Sequence, residues 1–132
     1  FYTRDPINGL GGHQLTERWR HYSSGPNAVA LSAEQGHKKI ILLGFDLGGV
    51  NGKVNNIYAG TEHYVGVDST ATFYGNWVTQ LTKVMDFYRD VDFTRVIGPN
   101  CVGVSEFTEL KNYHTIMLSD LLLAYKWHSV IW

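Results

Sequence analysis

The pair Ser24-Gly25 stands just before Pro26, where an apolar-rich stretch begins. A helix that starts there turns its first backbone N–H groups and the positive end of its dipole outward. That arrangement favours a phosphate or carboxylate, and Gly25 lets a ligand approach the backbone closely. The plain alternative is a helix cap with a tight turn. Asp46 follows Gly44-Phe45 at the end of the most apolar run in the chain. A carboxylate there accepts bonds from a ribose, a sugar or a metal, or else from nearby loop N–H groups. No second carboxylate has a spacing that suggests paired acid–base work.

Between Phe45 and Ser69 the chain carries Lys53, Asn55, Asn56, Tyr58, Thr61, Glu62, His63 and Tyr64. This mixture of donors and acceptors suits sugar or nucleotide recognition, and it equally suits a surface loop. His63 is the candidate general base, because imidazole titrates near neutrality; a solvated side chain is the alternative. The six histidines, at positions 13, 21, 37, 63, 114 and 128, show no short ligand spacing. With a single cysteine, no structural zinc site is expected and no metal ligands are assigned. Mg²⁺ stays open as a cofactor, although the EF-hand pattern is absent. The phosphate-loop, dinucleotide-fingerprint and serine-elbow patterns are absent too. Cys101 follows Gly98-Pro99-Asn100. A thiolate nucleophile there needs a neighbouring base or a helix start, and a small, buried, inert thiol is the commoner case.

The elements that must position these residues follow from pattern. Residues 1–14, with Pro6, Gly9, Gly11 and Gly12, read as an irregular arm. Thr16–Tyr22 is expected to be a short strand. Ser24 is expected to cap a helix ending at Gly36, with Ala28, Val29, Leu31 and Ala33 as its buried stripe. Lys38–Gly44, with Ile40, Ile41, Leu42 and Leu43 in succession, predicts a strand covered on both faces. A helix is expected over Thr70–Tyr88, where Phe73, Trp77, Leu81, Val84 and Tyr88 share one side as core. Asp92–Ile97 and His114–Leu118 read as further strands, and Ser105–Leu110 as a short helix. Ser119 opens a last helix to about Trp127. The apolar end, Val130-Ile131-Trp132, is expected to dock on the core or on a partner.

Alternating strand and helix signals predict an α/β fold, three-layer and Rossmann-like, with a small, mainly parallel sheet flanked by helices. Ligands of such sheets sit beyond the carboxyl ends of the strands. That rule gathers residues 23–25, 45–69 and 98–101 at one rim. The chain of 132 residues is long enough for one domain with its own core. Its composition, 44% hydrophobic and 17% charged, is that of a globular chain. A formal net charge of −1 gives no basic surplus, which argues against a general nucleic-acid binder. No apolar run approaches the roughly 20 residues of a membrane span. One cysteine excludes an internal disulfide framework and points to a reducing, cytoplasmic setting. No signal-peptide pattern opens the sequence, and Phe1 in place of Met suggests a processed product or a piece of a longer chain.

Several of these residues also carry a resemblance. Ser24-Gly25, then Gly36-His37-Lys38-Lys39-Ile40, then Gly44-Phe45-Asp46 resemble the second half of bacterial lipooligosaccharide sialyltransferases. They also resemble the 6-hydroxymethylpterin pyrophosphokinase-like family and a set of uncharacterised tailed-phage proteins. His63-Tyr64-Val65-Gly66, and Pro99-Asn100 followed by a small residue, look like the sialyltransferase branch. The phage proteins look most similar through Gly44-Phe45-Asp46, the asparagine-rich loop and the helix around Trp77. The resemblance spans about residues 23–110.

It implies a glycosyltransferase-like scaffold with a nucleotide or nucleotide-sugar site at Ser24, Gly25, Asp46, Tyr58, Tyr64 and Asn100. For a phage-encoded chain it implies the cytoplasm of the infected host. In the sialyltransferases the Ser-Gly turn contacts the nucleotide of a CMP-sugar, and tyrosines after the Asp hold its phosphate. Here the catalytic histidine position falls on Val67 and the first phosphate tyrosine on Gly48. Tyr58 matches the second only through an insertion. The Gly-Asn-Gly nucleotide loop of the family's first half has no counterpart in this sequence. Transfer would need a base, and His63 is the only histidine nearby. The pterin-kinase relatives imply Mg²⁺-dependent pyrophosphoryl transfer, with ligands traceable only as far as Asp46. The alternative is a non-enzymatic interaction or assembly module on the same fold. It is motivated by the unmatched catalytic positions and by the apolar stretch Leu121–Trp132, through which the chain would form a homo-oligomer.

Overall fold

The computed structural model describes residues 2–3, 9–54, 56, 58–71 and 73–124. Two short strands, β1 (Tyr2–Thr3) and β2 (His13–Gln14), pair in parallel within the amino-terminal arm. Helix α1 (Ser24–Glu34), strand β3 (Lys39–Leu42), helix α2 (Gly75–Phe87) and strand β4 (Asp92–Ile97) follow. Helix α3 (Ser105–Thr108), strand β5 (Tyr113–Met117) and helix α4 (Leu118–Ala124) complete the order. Strands β3, β4 and β5 form a parallel sheet in that spatial order. The architecture is α/β, a small Rossmann-like parallel sheet with helices against it.

Register decides which side of the sheet carries the core. Ile40 pairs with Phe93 and Phe93 with Tyr113, while Leu42 pairs with Arg95. Side chains alternate along a strand, so Ile40, Leu42, Phe93 and Arg95 share one face. That face packs in one cluster with Val29, Ala30 and Ala33 of α1 and with Leu81, Val84 and Met85 of α2. Ile41 and Leu43 point the other way and remain 40% and 60% exposed. The run Ile40–Leu43 is therefore covered on one face only among the described residues, against the expectation of two. The apolar run reports strand propensity as well as burial, and β-branched residues favour strands on either face.

Helix α1 ends as expected, with Gly36 at φ +91°, a conformation that favours glycine. Its buried side shifts: Ala28 is exposed, while Pro26, Asn27, Val29, Ala30 and Ala33 are buried. Helix α2 begins at Gly75 rather than Thr70, and Phe73 lies before it, largely exposed. Its far end is held from a distance. The buried Asn112 places Nδ2 3.0 Å from the carbonyls of Met85, Tyr88 and Val91. One amide thus supplies donors to carbonyls that a helix end leaves without intrahelical partners.

Thr16–Tyr22 forms successive turns instead of a strand, with Trp19 N–H bonded to Thr16 and Tyr22 N–H to Trp19. The competing gain is burial of the Trp19 indole against Tyr22, Phe87 and Tyr88. Its Nε1 donates to the Tyr88 hydroxyl at 3.2 Å, and Tyr88 donates to Glu34 at 3.1 Å. Burial raises the Tyr88 pKa above its ordinary value; the Trp19 bond opposes this and the Glu34 carboxylate reinforces it. The phenol therefore keeps the proton it donates. The carboxyl-terminal part of the last expected helix, from residue 125, and the end Val130-Ile131-Trp132 lie outside the described residues.

The unequal burial of the two faces at β3 makes a simple prediction for urea unfolding. Leu81→Ala removes a fully buried side chain and should cost about 2–5 kcal/mol. Ile41→Thr, on the open face, should cost less than about 1 kcal/mol. Equal losses would contradict this assignment of faces.

Candidate functional site

The rim at the carboxyl ends of β3 and β4 is built around a buried guanidinium. Arg95 of β4 is 1% exposed. Its Nε donates to the Phe45 carbonyl, Nη2 to the Asp46 carbonyl and Nη1 to the Val102 carbonyl, each at 2.8 Å. The Val102 N–H also donates to the Asp46 carbonyl at 2.9 Å. One planar fork thereby joins the chain leaving β3 to the chain leaving β4. Gly44, at φ +76°, supplies the turn off β3 that brings residues 45 and 46 within reach.

Asp46 is held by its side chain as well. Cys101 Sγ lies 3.3 Å from Asp46 Oδ1 and 3.6 Å from the Val96 carbonyl. The Gly98 N–H donates to the same sulfur at 3.2 Å. The thiol thus bridges the turn after β4 to the carboxylate after β3. Among the described residues the sulfur contacts a carboxylate, a carbonyl and an amide N–H, and through them it ties Asp46 to the turn after β4.

The segment these contacts hold, residues 44–48, lines a recess of about 310 Å³. Gly25 and Pro26 at the start of α1 make one wall, and Trp77 and Leu81 of α2 make another, with Asp46 and Asn56 as polar groups. Trp77, expected in the core, is half-buried and presents part of its indole here. Asp46 is the only charged residue among the described residues that line the recess. A Cβ on Gly25 would stand 3.2 Å from the Phe45 ring, so a larger residue would crowd the opening. Leu47, buried in the floor, has φ +56°, a left-handed conformation that costs a bulky residue roughly 1–2 kcal/mol.

The structure brings together Gly25 and Asp46 of the residues singled out in the sequence. Tyr64 lines a small adjoining notch that shares Gly48, Asn56 and Trp77 with the recess. Ser24 is the first helical residue rather than the cap, a position taken by Ser23. It faces a separate hollow with Tyr22 and Asn27. Tyr58, His63 and Asn100 are exposed and line neither the recess nor the notch. Asn55 lies outside the described residues. Among the described residues no three His, Cys, Asp or Glu side chains gather as metal ligands.

The segment after Gly48 is not structureless. Val50 and Lys53 exchange backbone bonds, Val54 N–H reaches Ser69, and Ala71 N–H reaches Gly52. The Lys53 ammonium pairs with Asp68 across this hairpin-like fold. Sequence reasoning missed Arg95 and Trp77 as site residues. An arginine between Phe93 and Val96 in a strand was the available signal, since a buried guanidinium needs carbonyl or carboxylate partners.

Tight packing of this loop is testable. A Cβ on Gly49 would fall 2.3 Å from the Lys53 carbonyl oxygen and 2.5 Å from the Ala71 Cβ. Gly49→Ala should destabilise by about 1–3 kcal/mol. Gly98→Ala, with open space at its Cβ position, should change stability by less than about 0.5 kcal/mol. Denaturant midpoints of the two variants check the contrast.

No family model matches this chain, and no curated protein or solved structure matches it.

Proposed function

We propose that the recess binds a nucleoside monophosphate or a nucleotide-sugar. The observation that carries this reading is the convergence of Asp46, Gly25 and the Trp77 indole on one cavity at the carboxyl ends of the strands. The indole face suits stacking against a base, and Asp46 suits accepting bonds from sugar hydroxyls. The start of α1 at Gly25 favours one phosphate. With no cation among the described residues of the lining, a polyphosphate gains little, so a singly phosphorylated ligand fits best. The volume is at the small end for ligand sites. Leu47 adds support, because strained backbone clusters at binding sites. The resemblance to sialyltransferases favours a cytidine nucleotide among the candidates. With His63 outside the recess, binding is the reading, and no histidine stands among the described residues that line it.

A second reading, an interaction or assembly module, is favoured by the apolar side chains left open around the sheet. Ile41, Leu43, Met117 and Leu118 are all more than a third exposed. Such side chains support self-association through a symmetric contact.

A thermal-shift screen separates the two. CMP, other nucleoside monophosphates and common nucleotide-sugars are tested with and without Mg²⁺. Ligand at about a hundred times Kd should raise Tm by several degrees. Asp46→Ala and Gly25→Val should each abolish the shift while the variants stay folded. No shift with any ligand, or shifts that survive both changes, would overturn the binding reading.

A further inference from the structure

Away from that rim, the turns before α1 and the last turns of α2 enclose a shallower hollow of about 580 Å³. Its floor is aromatic. The Trp19 and Phe87 rings meet edge to face with centroids 5.5 Å apart, and half of Phe87 is exposed. Its rim is basic: Arg18, Lys83 and Arg89 line it, with Asp86 as the one carboxylate among the described residues. Asp86 is already engaged, accepting from Arg89 Nε at 3.1 Å and Nη2 at 2.8 Å. Neither Arg18 nor Lys83 has a carboxylate partner among the described residues. Arg18 instead lies over the Phe87 ring, 4.3 Å from its centroid. Two cations with no carboxylate partner among the described residues thus share one hollow, in a chain whose net charge is −1.

We propose that this hollow docks a short acidic segment of a partner protein, with an apolar side chain between its carboxylates. The carboxylates would pair with Arg18 and Lys83, and the apolar side chain would cover the open part of Phe87. Charge complementarity selects the partner, while the aromatic floor supplies the contact area. A single-stranded nucleic acid fits less well. It needs a track of cations and free ring faces for stacking, whereas here Arg18 covers the Phe87 face and Asp86 sits on the rim.

Fluorescence anisotropy at low salt, with a labelled peptide alternating glutamate and leucine, tests this directly. The same peptide with lysine for glutamate and an oligothymidylate of equal charge are run beside it. The acidic peptide should bind, and added salt should weaken it. Arg18→Gln and Lys83→Gln should each weaken binding by about fivefold, and the double change by more. Both side chains are exposed, and circular dichroism confirms that the variants are folded. Lack of binding, affinity unchanged in the double variant, equal binding of the lysine peptide, or tighter binding of the oligothymidylate would each overturn the proposal.

Discussion

Burying a guanidinium is expensive, and Arg95 is compensated by hydrogen bonds to main-chain carbonyls on two separate loops. The constraint works in both directions. Among the described residues the carbonyls of residues 45 and 102 would otherwise lack partners where the chain leaves the sheet, and the arginine would otherwise lack acceptors. Satisfying both fixes the path of the chain after β3 and after β4 at once. The position of Asp46, the Cys101 bridge and the floor of the recess all follow from that path. A parallel sheet alone places loops at one rim; the arginine fork turns two of those loops into one surface.

Much of the fold was legible because the local pattern and the tertiary demand agree. Asp92–Ile97 is a strand in both readings, and β5, α1 and α3 fall within a few residues of their expected places. Disagreement arises where a distant partner outweighs local propensity. Thr16–Tyr22 gives up a strand because Trp19 gains burial and a bond to Tyr88, 69 residues away. Thr70 and Ala71 give up helix because Thr70 pairs with Lys53 and the Ala71 N–H bonds to the Gly52 carbonyl. Ile41 and Leu43 read as buried although no described element covers them, since hydrophobic residues inside is a rule that does not run in reverse.

The candidate site was legible only where topology places a residue without help from loop geometry. Gly25 stands at a helix start and Asp46 at a strand end, and both follow from the parallel arrangement. Tyr58 and His63 depend on how a long segment folds on itself, through turns such as Gly60 N–H to Val65 and the Lys53–Asp68 pair, and Asn100 on the turn closed by Cys101 N–H to Gly98. No periodicity encodes such contacts. Trp77 carries two signals in one helix position: it packs against the core and also faces the recess. Only its partial exposure separates those roles.

The central claim is that Arg95 holds the two rim loops together, and amide hydrogen exchange measures this most directly. The comparison is the native chain against Arg95→Met under conditions where both are folded. The account predicts faster exchange at Val102, whose N–H bonds to Asp46, while amides within β4 and α2 keep most of their protection. Unchanged protection at Val102, or an equal loss across the whole sheet, would contradict it.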